Sequence, residues 1–237
     1  MRTIKRLARK LIGKKNDTDF YAQGGEDAIV SNIFNYVCPT QKGFYIDVGA
    51  YHPFKHSNTY LLHKAGWRGL NIDPRPGSKA LFDKYRPRDI NVEAGIAATE
   101  GSMTYYIVGD DSTMNSFSSE NLASLGMLDK VVRTIDVPVH TLSSILSNHP
   151  EIEKIDYLNI DAEGFETEVL SGLDSSSIRP SIVSLEQNAV FTLNDVLTSE
   201  TCKFLSARGY TPIAKNMILR EVATVFYARN ELVENVG

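Results

Sequence analysis

The chain is punctuated by short apolar runs ending in polar turns, and their spacing restricts the fold more than any other feature. Residues 44–49 read FYIDVG, residues 67–73 read WRGLNID, and residues 90–97 read INVEAGIA. Each is too short for a helix and rich in strand formers. Helical stretches lie between them. Ser57 can cap a helix running through Tyr60, Leu61 and Leu62 to Ala65 and Gly66, where the glycine suits a helix end. A second helix runs through Leu81, Phe82 and Tyr85 until Pro87 stops it. Strand, helix, strand, helix, strand within about 55 residues predicts a doubly wound, mostly parallel α/β sheet of the Rossmann-like kind.

The same rhythm continues downstream. IDYLNID at 155–161 is a strand, a helix passes through 166–170, and SIVSLE at 181–186 is the next strand. A helix near 198–208 ends at Gly209, and strands near 210–214 and 222–228 complete a main sheet of about seven. Upstream, residues 24–37 place Ile29, Val30, Ile33, Phe34 and Val37 on one helical face. Residues 102–108 and 131–139 alternate in strand fashion around a stretch rich in Ser, Asn and Gly. They predict an inserted β-ribbon around 100–140 with a long loop at 109–130.

A length of 237 residues fits one domain over 20–237, preceded by an extension at 1–19. Hydrophobic residues at 42% and charged residues at 23% exclude general disorder, and a net charge of −4 gives no reason to expect nucleic acid as a partner. Positive charge nevertheless crowds residues 2–15. There Ile4, Leu7, Ala8, Leu11 and Ile12 recur at helical spacing among lysines and arginines, and Gly13 follows. Two readings of this basic amphipathic stretch stay open: peripheral contact with an anionic membrane, or a solvated extension. Cys38 and Cys202 lack metal-ligand spacing and read as reduced thiols. With no apolar run long enough to cross a bilayer and no secretory leader, the expected location is cytoplasmic.

In an open parallel sheet, ligands bind beyond the carboxyl ends of the strands. Four strand ends carry unusual polar residues: Asp47 to Gly49, Asp73, Asp161 to Gly164, and Glu186 to Asn188. Gly49 allows a tight turn whose backbone N–H groups approach a ligand. Asp73 ends the second strand, where an acid accepts hydrogen bonds from both ribose hydroxyls, although a turn-initiating helix cap is the plainer reading. The loop GAYHPF at 49–54 has one glycine and bulky residues after it, so it lacks the G-x-G-x-x-G cradle of a dinucleotide site. A nucleoside with an amino-acid tail needs a charge-neutralising acid near the first strand instead, and Asp47 is so placed. The pattern points to S-adenosylmethionine.

Four segments then resemble the FkbM-type methyltransferases: YAQGGEDAIVSNIF, FYIDVGAYHPFKHSNTYLLHKAGWRGLNIDP, RPRDINVEAGIA and IDYLNIDAEGFETEVLSGL, together spanning roughly residues 20–187. The likeness is greatest to the subgroup with His-Pro and Ser-Asn-Thr after the first strand, here His52-Pro53 and Ser57-Asn58-Thr59; Ala50 departs from the Asn or other small residue of many relatives. The resemblance implies a class I methyltransferase fold and transfer of a methyl group to a hydroxyl of a sugar, glycan or natural product. It also implies that Asp47, Gly49 and Tyr51 surround the methionine part, Asp73 the ribose, and Gly95 and Ile96 the adenine. Gln23 and Glu26 would close over the cofactor, and Ser57 and Asn58 would bind its carboxylate.

An alcohol must lose its proton to be methylated, so a general base or a metal ion is expected beside the acceptor. Asp161 and Glu163 are the first candidates, as base or as ligands of a divalent cation; His52 is next and His56 follows. Against these stand helix-capping roles for Asp161 and Glu163 and a structural role for His52. Glu186 is expected to contact acceptor or to be a satisfied edge carboxylate. Asn115 and Ser116, in the loop at 109–130, are expected to bind a polyhydroxylated acceptor beneath a lid, or to be ordinary loop residues. A nicotinamide-dependent oxidoreductase and a non-catalytic binding module remain as alternatives.

Overall fold

The computed structural model describes residues 19–172, 179–219 and 222–234, so the basic stretch at 2–15 lies outside the described residues. Helix α1 (Glu26–Asn32), continued by a π-helical turn (Ile33–Val37), precedes β1 (Phe44–Val48), α2 (Tyr60–Lys64), β2 (Arg68–Ile72) and α3 (Ser78–Tyr85). Then come β3 (Ile90–Val92), β4 (Gly95–Ile96), β5 (Gly101–Ile107), α4 (Ser119–Ser124), β6 (Arg133–His140) and α5 (Leu142–Ser147). The chain finishes with β7 (Tyr157–Ile160), α6 (Glu166–Ser171), β8 (Ile182–Asn188), α7 (Leu193–Thr198), α8 (Glu200–Ser206), β9 (Tyr210–Met217), β10 (Val222–Arg229) and α9 (Asn230–Val233).

Seven strands form the main sheet in the order β3-β2-β1-β7-β8-β10-β9. The run from β3 to β8 is parallel, and β10 is antiparallel to both of its neighbours. Strand alternation sends Ile46, Leu70, Leu158 and Val183 to one face, where they pack with Leu142 and Leu146 of α5, Val169 of α6 and Leu205 of α8. Tyr45, Tyr157 and Ile182 face the other way, against Val30 of α1, Phe34, Leu62 of α2 and Trp67.

That second face also carries a row of polar residues. In register, Asn91, Asn71, Asp47, Asn159 and Ser184 stand side by side across β3, β2, β1, β7 and β8, all buried. Arg86, at 0% exposure, lies over the row. It donates to Pro53 O at 2.6 Å, Ser57 Oγ at 2.7 Å, Thr59 Oγ1 at 2.9 Å and Asn71 Oδ1 at 3.1 Å. A buried guanidinium is tolerated only when its fork of donors is satisfied, and here it ties the loop at 53–59 to the sheet.

The structure differs from the sequence reading at several elements. Residues 90–97 are two strands: β3 pairs with β2, while β4 pairs with β6 in a second sheet of order β4-β6-β5. Glu93 between them accepts from Gly77 N and Lys79 N at the start of α3, which pulls the chain out of the first sheet. Residues 109–130 hold α4, capped by Ser118, and a 3-10 turn at Leu128–Lys130. The helix expected near 198–208 is α8, capped by Ser199, and a further short helix, α7, precedes it. Thr59, not Ser57, stands at the N-cap of α2.

Candidate active site

The strand order reverses between β1 and β7, and beyond the carboxyl ends of those strands the loops part into a cleft. Gly49 and Tyr51 line it after β1, Asp73 and Arg75 after β2, and Gly95 and Ile96 on β4. Asp161 and Glu163 follow β7, and Glu186 stands on β8. Gln23, Glu26 and Asn58 close one side, and Asn115 and Ser116 border it from the insert. Asp47, His52 and Ser57 fall outside this lining. Three of the four non-glycine residues with positive φ border the cleft: Tyr51 at 50°, His56 at 52° and Glu163 at 50°. Such strain concentrates where a site dictates the backbone.

Gly49 has φ 76°, and a Cβ there would lie 1.7 Å from Asp161 O, so the turn after β1 packs directly on the chain leaving β7. Its amide does not face a ligand. Gly49 N and Ala50 N both donate to Ile72 O, Tyr51 N donates to Asp73 Oδ2 at 2.8 Å, and His52 N donates to Ala50 O. Four successive amides are committed internally, which leaves no backbone cradle for a pyrophosphate and removes the support for a dinucleotide site.

Asp73 is buried, with Oδ2 on Tyr51 N and Oδ1 on Arg75 N at 2.9 Å. Each oxygen therefore keeps acceptor capacity toward the cleft, as a pair of vicinal hydroxyls requires. Burial raises its pKa, opposed by the amide and the charge of Arg75. Sequence reasoning missed Arg75, a single arginine within a turn. Its guanidinium lies 4.9 Å from the Tyr51 ring centroid and donates to Tyr51 O and to Asp111 Oδ1 at 3.2 Å. Tyr51 Oη donates to Asp111 O at 2.9 Å. These contacts seam the first turn to the insert.

Beside Asp73 the wall becomes apolar. Ile72, Ala94, Ile96, Tyr105, Phe117 and Phe165 line a slot suited to a flat base, with Tyr105 and Phe117 ring centroids 4.7 Å apart. Gly95 is required by close approach, since a Cβ there would meet Phe117 Cζ at 2.6 Å.

The other end is acidic. Carboxylate oxygens of Asp161, Glu163 and Glu186 lie within 4.8 Å of one another, and Asp161 Oδ1 is a buried atom without a hydrogen-bond partner among the described residues. Burial, then Glu186 and Glu166, drives the Asp161 pKa well above the usual carboxylate range. Burial and Asp161 raise Glu163 to about 8; burial and Glu163 raise Glu186 to about 8. Groups of this kind share protons and can accept one from a substrate, and three oxygen donors also suit a hard divalent cation. Asp161 does not cap the following helix: Glu166 Oε1 accepts from Ala162 N and Gly164 N there.

The remaining expected residues hold the scaffold. Asp47 is 2% exposed, with Oδ2 accepting from Thr59 Oγ1 at 2.6 Å and Oδ1 from Asn159 Nδ2 at 2.9 Å, so no direct contact with a bound tail is left to it. Burial raises its pKa against those bonds and Arg86. Ser57 serves Arg86 rather than a ligand. His52 Nδ1 accepts from Phe54 N and Lys55 N, which occupies the lone pair a base would use; burial and Lys55 lower its pKa to about 4. Asn115 bonds Val108 N, Gly109 N and Gly109 O, and Ser116 Oγ donates to Glu163 O. Both organise the insert at the border of the cleft. Glu26 accepts from Gly24 N and Asn216 Nδ2 at the cleft's edge.

A buried acid after β2, an apolar slot beside it and a switch point without a phosphate cradle are what a nucleoside site in an α/β sheet needs. The family described as "Methyltransferase FkbM domain" matches residues 47–212, and the chain belongs to that methyltransferase family. The match starts after the segment holding Gln23 and Glu26 and runs past residue 187. Family and sheet order together make this a Rossmann-like class I methyltransferase fold.

No curated protein matches the sequence. Among solved structures, the chain is similar to a TehB-like SAM-dependent methyltransferase from Corynebacterium glutamicum, with 11% identity, 96% and 97% of the two chains covered, and a TM-score of 0.45. It is also similar to Burkholderia thailandensis 1,6-didemethyltoxoflavin-N1-methyltransferase, with 12% identity, 95% and 85% covered, and a TM-score of 0.46. Aeropyrum pernix fibrillarin shows 12% identity, 85% and 73% coverage, and a TM-score of 0.46.

Proposed function

We propose that the protein transfers a methyl group from S-adenosylmethionine to a hydroxyl oxygen of a sugar, glycan or natural-product acceptor. The observation that carries this reading is one cleft holding Asp73 at one end and the Asp161–Glu163–Glu186 cluster at the other. Asp73 accepts from the ribose hydroxyls, and the slot formed by Ile96, Tyr105 and Phe117 takes the adenine. When bound, the cofactor supplies an electrophilic methyl on a sulfonium, so alignment of the acceptor oxygen contributes much of the acceleration.

The carboxylates then have a defined task. With pKa values raised to about 8, Glu163 and Glu186 in their ionised form have a proton affinity suited to taking the hydroxyl proton as the oxygen forms its new bond. Burial is the main cause of both shifts; Asp161, whose backbone packs on the turn at Gly49, adds to that of Glu163, and Glu163 adds to that of Glu186. The oxygen donor set also fits a divalent cation, which would polarise the hydroxyl instead. Full activity after EDTA treatment supports the carboxylate base; loss restored by Mg2+ supports the cation. The reading itself is tested by calorimetry with S-adenosylhomocysteine against NAD, then by methyl transfer to a panel of sugar and natural-product alcohols. Binding of NAD alone overturns it.

A further inference from the structure

The buried polar row gives Asp47 a part in ligand recognition, although it never reaches the cleft, and the inference rests on the cofactor reading above. Asp47 Oδ1 accepts from Asn159 Nδ2 at 2.9 Å, which fixes the nitrogen end of that amide toward β1. The Asn159 oxygen is left to accept from Asn58 Nδ2 at 3.1 Å, Ser184 Oγ at 2.7 Å and Tyr157 Oη at 3.3 Å. Asn58 is thereby held by its nitrogen. Its side chain lines the cleft, and its oxygen has no partner among the described residues.

The arrangement resists reversal. Thr59 Oγ1 accepts from Arg86 Nη1 and donates to Asp47 Oδ2, so both Asp47 oxygens are engaged as acceptors. Turning the Asn159 amide over would set its oxygen against the Asp47 carboxylate and its nitrogen against the Asn58 amide nitrogen. A buried carboxylate thus orients a first amide, and the first amide orients a second at the cleft wall.

An oxygen presented to the cleft is placed to accept from a donor on the ligand. Of the donors on S-adenosylmethionine, the ribose hydroxyls would meet Asp73 and the adenine amino group would lie with the base in the slot beside Asp73 and β4; the donor left for Asn58, which follows β1 and is tied to β7, is the α-ammonium of the amino-acid tail. We propose that Asp47, acting through Asn159, positions the Asn58 oxygen to accept a hydrogen bond from that ammonium. Asn58 then reads the cationic end of the tail, rather than the carboxylate expected from the sequence, and Asp47 and Asn159 are positioning residues.

The test compares S-adenosylhomocysteine with 5′-methylthioadenosine, which keeps the nucleoside and lacks the amino-acid tail. Calorimetry on Asp47→Asn, Asn58→Ala and the double variant should show each single change weakening S-adenosylhomocysteine by about tenfold, the scale of one hydrogen bond to a charged group. Methylthioadenosine affinity should stay within about twofold, a result that general damage to the cleft would not produce. The effect of Asp47→Asn should vanish in the Asn58→Ala background. Equal weakening of both ligands, or an Asp47→Asn effect that persists without Asn58, overturns the proposal. If Asp47→Asn does not fold, Asn159→Ser breaks the same relay and is judged by the same outcomes. Wild-type protein that binds neither nucleoside removes the cofactor reading itself, and this proposal with it; binding of both with unchanged selectivity in the variants removes the relay alone.

Discussion

At the scale of single residues, Asp73 and Gly49 act by contact and by absence. Asp73 sits buried with two donors already in place, and in the proposed site a ribose would complete the half-satisfied carboxylate. Asp73→Ala should weaken S-adenosylhomocysteine by about 1.5–3 kcal/mol in calorimetry; unchanged affinity in a folded variant takes Asp73 out of the site. Gly49→Ala would drive a Cβ to 1.7 Å from the carbonyl of Asp161 at φ 76°, so strain and clash add. A stability loss of about 3 kcal/mol is expected in urea unfolding, and a loss below about 1 kcal/mol would mean that the turn shifts freely. Both residues were legible in the sequence because a glycine ending one strand and an acid ending the next form a local pattern. Asp47 and Asn115 were not. A sequence shows that a polar side chain is near a ligand edge, but not that its lone pairs are consumed by Thr59 and Asn159, or by the backbone of Val108 and Gly109.

At the scale of elements, the parallel core was readable because its strands are short apolar runs that end in polar turns and recur at regular intervals. The insert was not, for a physical reason. α4 is six residues long and depends on the Ser118 cap and on Leu122 burying itself, so neither periodicity nor length announces it. The splitting of residues 90–97 depends on Glu93 reaching back to the start of α3, a contact that no strand propensity records. Arg75 joins the core to the insert through Tyr51 and Asp111. The Asp111 side chain is exposed, so that arm adds little by itself, and the bond to Tyr51 O with the ring stacking carries the seam. Arg75→Leu should therefore loosen residues 109–117. Limited proteolysis should cut there about tenfold faster, while the global unfolding midpoint moves far less. Unchanged cleavage would show that Asn115 and Ser116 hold the insert alone.

At the scale of the whole molecule, the cleft sets stability against activity. Glu163 and Glu186 titrate near 8 in the folded protein and near the ordinary value of about 4.3 when unfolded. The folded state thus holds their protons more tightly. Their contribution to stability is complete below the unfolded value and is lost as pH rises through about 8. A base must be unprotonated to act, so the catalytic rate should rise over that same interval. The two residues and Asp161 interact, so the midpoint belongs to the cluster and not to one carboxyl group. For the ligand-free enzyme, the thermal midpoint should fall between pH 6 and 9 while kcat/KM climbs with an apparent pKa near 8. Glu186→Gln removes one acid from the cluster. It should flatten the stability slope, since one of the two groups titrating near 8 is gone, while Glu163, raised by burial and Asp161, should keep the kinetic midpoint near 8. A rate profile that is flat across this range, with the stability slope intact, would leave the cluster buried and proton-bound but assign proton removal to another group.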